Sequence, residues 1–223
     1  MNTIFDRNFG RIVKFDERSR NFPIRALMPV NTKPRSYTWR CNINLDQGTE
    51  GACTGFSVTH EAAARPVEVK GLNESVALKI YNRAKQLDAW PGEDYDGSSV
   101  LAAIKAGKEM NWYSEYRWAF NMDDLTWAIG HRGPAVLGIN WYEGMCSTDE
   151  SGIIHPTGRL LGGHAILANG YNKKKNLIRL HNSWGKSWGV NGYCFISVND
   201  LDRILHENGE ACIPVKRQKG LLN

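Results

Sequence analysis

No run of apolar residues in this 223-residue chain approaches the roughly 20 that a membrane span needs. The opening stretch, MNTIFDRNFGRIVKFDERSR, interleaves charge with apolar residues and so lacks the continuous apolar core of a secretory signal. Together these absences predict a soluble chain that stays in the cytoplasm and has no membrane partner. Cysteine is sparse and scattered: Cys41, Cys53, Cys146, Cys194 and Cys212 form an odd set with no close pair. Metal ligation favours CxxC-like or HxxxH-like spacing, neither of which occurs, so no metal and no other cofactor is expected. A disulfide framework is equally unsupported, and reduced thiols suit a reducing compartment. Repeats of fixed period are missing too. With 42% hydrophobic and 23% charged residues the composition is that of an ordinary globular chain, long enough for one domain or for two lobes sharing an interface.

Charge is distributed unevenly. The whole chain carries +5, while residues 1–40 hold nine Lys or Arg against three acids. These basic residues are dispersed, not clustered, which argues against a nucleic-acid-binding role and for a basic arm wrapping the body, with a partner contact as the alternative. Pro23, Pro29 and Pro34 favour irregular, extended backbone in this arm. Phe22, Ile24, Leu27 and Met28 are apolar anchors that would let it pack along a cleft or across the body.

Beyond the arm, apolar residues at helical spacing predict helices over 53–65, 75–87 and 98–110, with a shorter one over 123–131 capped by Asp123. After Gly133 the texture becomes β-like, in the runs PAVLGINW, HAILANGY, NLIRLHNSW and GYCFISV. The expected fold class is therefore α+β. A helical lobe over about 41–132 precedes an antiparallel β lobe over about 133–215, a short basic tail occupies 216–223, and a cleft lies between the lobes.

The segment QGTEGACTGFS, Gln47 to Ser57, places Cys53 at the start of the first predicted helix. A free cysteine is more often a small buried hydrophobe than a nucleophile, so its surroundings must decide. A helix N-terminus favours the thiolate through its unpaired N–H groups and dipole. The thiol also needs a base, a group to orient that base, and donors for a developing oxyanion. His60 lies seven residues along the same helix, about 10 Å of rise away, and cannot be that base. His131, His155 and His206 read as solvated or locally bonded. His164 follows two glycines, Gly162 and Gly163, where a peptide backbone could pass closely. Asn182, in the next strand, could fix its tautomer, with Trp184 and Trp188 covering that bond from water.

These three blocks, QGTEGACTGFS, GGHAILANGY and NSWGKSWGVNGY, resemble in order and spacing the papain-like cysteine peptidases, over roughly residues 40–215. The resemblance implies a two-lobed α+β fold whose β lobe is barrel-like, with the site in the cleft. It implies Cys53 as nucleophile, held as thiolate against imidazolium His164. Asn182 would orient His164, and the Gln47 side-chain amide with the Cys53 N–H would form the oxyanion hole. In YDGSS, Tyr95 to Ser99, Gly97 is the implied partner of substrate backbone, and Gly163 lends its carbonyl to a substrate amide.

Four departures are evident. Glu50 stands where secreted members carry a cysteine, and Thr54 where a tryptophan follows the nucleophile. Cys53 and His164 are 111 residues apart, fewer than the about 130 to 150 of the family. About 40 residues precede the motif, fewer than the usual inhibitory prosegment. These differences suggest the compact bacterial or bacteriophage-like branch. The implied activity is hydrolysis of peptide bonds through an acyl-enzyme, with a peptide or protein substrate. A thiol transpeptidase or deamidase, and a catalytically silent papain-fold interaction protein, are the alternatives.

Overall fold

The computed structural model describes residues 7–88 and 95–217. The first six residues of the arm and most of the expected basic tail lie outside the described residues.

In chain order the elements are β1 (Tyr37–Thr38), α1 (Cys53–Ala63), α2 (Glu74–Leu87), α3 (Val100–Glu109), β2 (Tyr113–Ala119), α4 (Met122–His131), β3 (Ala135–Tyr142), β4 (Leu160–Asn172), β5 (Leu177–His181), β6 (Tyr193–Ser197), α5 (Val198–His206) and β7 (Glu210–Arg217). Four of these helices start on a side-chain cap, from Asn73, Ser99, Asn121 and Ser197, each accepting a first-turn N–H. The cap of α4 is thus Asn121, not Asp123, because the helix begins one residue earlier than the apolar spacing indicates. Helix α1 differs: Ala52 at its N-cap has no side chain to accept a bond, so its first-turn donors remain available.

The strands form one antiparallel sheet in the order β2-β7-β3-β4-β5-β6, with β1 added beside the far end of β4. Strand β2 lies inside the segment read from sequence as helical, and it pairs with β7 along its whole length. Strand β7, whose apolar run ACIPV is interrupted by Pro214, and helix α5, with Leu201, Ile204 and Leu205 at helical spacing, lie beyond the four β-like runs of the sequence.

Both faces of the central strands are buried. In β3, Leu137, Ile139 and Trp141 join one core with α4 and α5, while Val136 joins a second core with α1 and α3. Strand β4 alternates likewise, with Ile166 and Ala168 on one side and Ala165 and Leu167 on the other. Two covered faces explain why these strands read as continuous apolar runs.

The arm is built into the body. Tight 3-10 turns at Glu17–Asn21 and Ile24–Leu27 lead into β1. Ile24 is fully buried, and Leu27 and Met28 pack against the α4 core. Phe22 is 48% exposed and anchors little; its carbonyl instead accepts from Trp118 N at 3.0 Å.

Candidate active site

Cys53 is the first residue of α1, and its Sγ accepts from the backbone N–H of Ala165 in β4 at 3.3 Å. This contact brings the thiol beside His164, which lies within β4 opposite Ile139 and not at a strand start as the sequence suggested. The His164 ring is held from behind: Nε2 and Asn182 Oδ1 are 2.8 Å apart, and the same oxygen accepts from Ser183 N at 2.8 Å. Cys53, His164 and Asn182 are all fully buried. Trp184 lies against the imidazole with ring centroids 5.2 Å apart, and Trp141 lies nearer, at 4.7 Å, edge-on. Trp188 packs on Trp184 and Trp141 and forms a second layer. Trp141 therefore does more of the shielding than Trp188, a role its place in an apolar strand run concealed.

Gln47 is aimed by a residue the sequence did not single out. Ser183 Oγ donates to Gln47 Oε1 at 2.6 Å, and Gln47 N donates to the Ser183 carbonyl at 2.9 Å. With its oxygen thus engaged, the amide presents Nε2, which donates to the Glu50 carbonyl at 2.7 Å and to the carbonyl of Asn8 at 3.2 Å.

Asn8 belongs to the arm, and residues 8–12 run through the cleft. Gln47 holds the Asn8 carbonyl, and Phe9 sits edge-on to His164 and Trp184. Arg11 N donates to the Gly163 carbonyl at 2.9 Å; Ser98 N donates to Gly10 O at 2.8 Å and Ile12 N to Ser98 O at 3.0 Å. The ladder is parallel and falls on Ser98, one residue beyond the expected Gly97. Gly97, at φ +110°, makes the approach feasible: a Cβ there would stand 3.0 Å from Gly10 C and 3.1 Å from Ile12 Cγ1. Of the two placements expected for the arm, along the cleft or across the body, residues 8–12 take the first.

Burial acts on the charge state of the pair. Burial pushes the Cys53 thiol up, opposed by backbone N–H groups of Ala165, Gly10 and Thr54 and by the Arg11 guanidinium. Burial likewise pulls His164 down to about 4, against its bond with Asn182. In this arm-docked form both groups favour neutrality, and His164 Nδ1 has no hydrogen-bond partner. Burial thus opposes the thiolate–imidazolium pairing that the resemblance implies, while the Asn182 bond and the backbone N–H groups at the thiol favour it.

Among the described residues no group of three His, Cys, Asp or Glu side chains is arranged to hold a metal ion, and no helix is long and apolar enough to cross a membrane. The five cysteines are free. His155 and His206 bond locally, to Asp149 and the Asp202 carbonyl, whereas His131 reaches the carbonyl of Lys33, 98 residues away in the arm.

A helix-terminal thiol packed against the central strand that carries an asparagine-held imidazole, in an antiparallel sheet, defines the class of papain-like α+β proteins. The chain itself belongs to the papain family of cysteine proteases: that family's model matches residues 94–210, just over half of the sequence, a span that includes His164 and Asn182 but not Gln47 or Cys53. Similar curated proteins include an uncharacterised peptidase C1-like protein of Acanthamoeba polyphaga mimivirus, 24% identical over 194 residues. Another is cathepsin B-like cysteine proteinase 4 of Caenorhabditis elegans, 25% identical over 156 residues. The matches cover 67% and 64% of this chain but only 62% and 44% of those proteins. Among solved structures, xylellain, a cysteine protease from Xylella fastidiosa, superposes with a TM-score of 0.71 at 20% identity, covering 96% of this chain and 97% of the other. Recombinant stem bromelain precursor superposes at 0.63 and 18% identity, covering 97% and 80%. At these identities the likeness is one of fold.

Proposed function

We propose that the protein is a cysteine peptidase whose cleft is closed, in the form described, by its own residues 8–12. The observation that carries this reading is that the cleft already holds an extended peptide, with one backbone carbonyl on the Gln47 amide and backbone bonds to Ser98 and Gly163. A pocket built for another kind of ligand would have little use for that ladder.

The reaction follows from the residues around it. Once the arm leaves, water and substrate reach Cys53 and His164, and the burial that keeps both neutral is relieved. The α1 N-terminus then favours the thiolate and Asn182 favours the imidazolium. Cys53 Sγ attacks a peptide carbonyl, whose developing oxyanion is held by Gln47 Nε2 and the Cys53 N–H. His164 gives its proton to the departing amine, leaving an acyl-enzyme on Sγ. Neutral His164 next takes a proton from water, the resulting hydroxide attacks the thioester, and the acid product leaves with the thiolate restored. Trp141 and Trp184 keep the His164–Asn182 bond dry throughout. The compact bacterial or bacteriophage-like branch fits the close spacing of Cys53 and His164, and a cytoplasmic setting fits the free thiols.

Gly10 provides the test. A side chain there would meet the Gly51 backbone, standing 2.7 Å from its Cα, so Gly10→Val expels the arm without altering the site. With fluorogenic peptides, Gly10→Val is expected to cleave at least about tenfold faster than the parent, and Gly10→Val/Cys53→Ser not at all. If Gly10→Val stays folded yet cleaves nothing, and Cys53 takes up iodoacetamide no faster than Cys41, the peptidase reading is wrong.

A further inference from the structure

Ser98 faces the bound arm with both of its backbone groups: its N–H donates to Gly10 O at 2.8 Å, and its carbonyl accepts from Ile12 N at 3.0 Å. The residues on either side of it are held from behind by helix α2. Gly97 N donates to the Tyr81 hydroxyl at 2.8 Å, while Asp88 Oδ1 accepts from Ser99 Oγ at 2.6 Å and from Ser99 N at 3.3 Å. Between these two, the Lys85 ammonium lies 5.9 Å from the centre of the Tyr81 ring and 5.3 Å from that of Tyr95. Tyr81, Lys85 and the C-cap Asp88 follow at intervals of four and three, so one side of α2 is given over to residues 95–99.

That segment needs outside support. Glycine restricts its own backbone less than any other residue, and a rotation at Gly97, which sits at φ +110°, would swing the Ser98 N–H away from the peptide. No disulfide stiffens it, since the five cysteines are free. Tyr81 supplies a fixed point. It is buried, and α2 approaches α1 so closely there that a Cβ at Gly55 would stand 2.7 Å from Tyr81 N and 2.8 Å from Tyr81 Cβ. Gly55 is two residues beyond Cys53 in α1, so the ring is seated on the nucleophile's helix while the hydroxyl holds the peptide-pairing segment. Core packing accounts for the ring but not for the hydroxyl, whose burial is costly unless it is bonded.

We propose that Tyr81 is a positioning residue for peptide hydrolysis: its hydroxyl sets the Gly97 backbone so that Ser98 offers N–H and carbonyl together to a substrate, in register with Cys53. This rests on the peptide-hydrolysing reading, and the two separate in the following experiment. Tyr81→Phe removes the hydroxyl and keeps the ring. In full-length Gly10→Val, it should raise KM for a hexapeptide substrate at least about fivefold and leave kcat within about twofold. A single-residue amide substrate, too short to reach Ser98, should keep its kcat/KM within about twofold. Equal losses on the two substrates would mean general loosening of the scaffold and overturn the proposal, as would no change on either.

A second measurement needs no turnover. The probe is the synthetic peptide RNFGRIV, a copy of residues 7–13, titrated calorimetrically into full-length Gly10→Val/Cys53→Ala. An ester analogue with oxygen in place of the Ile12 N–H should bind at least about fivefold more weakly than the peptide. On adding Tyr81→Phe the peptide itself should bind that weakly, and the ester should cost little more. An ester penalty that is the same with and without the hydroxyl overturns the proposal, and so does failure of RNFGRIV to bind the Tyr81 protein. Hydroxyl-dependent binding in a protein that cleaves nothing supports the role of Tyr81 in holding peptides and overturns the hydrolytic reading.

Discussion

The protein buries imidazoles in two places, and they differ in everything except burial. His164 is held by Asn182 on one side and lies next to Cys53, under Trp141 and Trp184. His60 and His181, by contrast, stack face to face with centroids 3.9 Å apart, and Tyr193 continues the stack at 4.1 Å with Arg179 over its far face. Both sites hold pKa values down by desolvation: His164 to about 4, His60 to about 3, and His181 well below the usual range. A depressed imidazole pKa therefore does not distinguish chemistry from packing in this fold. Distinction comes from partners: His164 has an orienting carbonyl and a thiol for a neighbour, whereas neither ring nitrogen of His181 makes a bond.

The comparison breaks most sharply on activity. In the Gly10→Val background, His164→Ala is expected to lower kcat/KM by about 1,000-fold through loss of the general acid and base. His60→Phe or His181→Phe should leave it within a few-fold, since neither ring nears Cys53. Peptide turnover measured beside thermal melts checks this, and comparable losses at the two sites would refute the division.

On stability the order reverses. His60 has a folded-state pKa of about 3, against 6.5 for an unhindered imidazole. Between those values the unfolded chain binds more protons, so stability rises with pH, is complete above about 6.5, and drains away as pH falls toward 3. At pH 4 the loss from His60 alone is on the order of 3 kcal/mol. Denaturant titrations at pH 7 and pH 4 should show His60→Phe, which keeps the stack and removes the titrating group, losing less stability than the parent over that interval. Parallel losses would mean that the stack does not titrate.

Much of this was legible in the sequence, for identifiable reasons. Cys53, His164, Asn182 and Gln47 stand in blocks whose glycines and spacing are dictated by close backbone approach, and such constraints survive in one dimension. Helices α2 and α3 carried their apolar stripes, whereas their Asn73 and Ser99 caps emerge only from the structure. Strand β2, YSEYRWA, did not declare itself because β7, its partner, comes nearly 100 residues later, and long-range pairing leaves no local trace. Ser183 is an ordinary small polar residue in the sequence; its importance arises only when Gln47 folds against it. Above all, nothing local in NFGRIV marks residues 8–12 as a cleft ligand. That role depends on Gly51, Gly97, Gly138 and Gly163 all leaving room at once.

Within the catalytic site itself the comparison can be sharpened by removing support and leaving reacting groups in place. Asn182→Ala should cost roughly 100-fold in kcat, the order expected when a reacting group is displaced by about 1 Å, with KM little changed. Iodoacetamide labelling of Cys53 in the same variant should lose its acid limb, because an unheld imidazole no longer keeps the thiolate at low pH.

Ser183→Ala should have the smallest effect, and its sign discriminates between two accounts of Gln47. If Ser183 Oγ is what fixes the amide, its removal lets the amide rotate and present oxygen instead of nitrogen to the oxyanion, and kcat should fall about tenfold. That is less than the roughly 100 to 1,000-fold loss of deleting a donor outright, since the Gln47 main chain still bonds Ser183 and the Glu50 carbonyl still attracts Nε2. Gln47→Ala should then mask Ser183→Ala, the double variant being no slower than Gln47→Ala alone. Independent, multiplying losses would mean that the Ser183 hydroxyl does not act through Gln47.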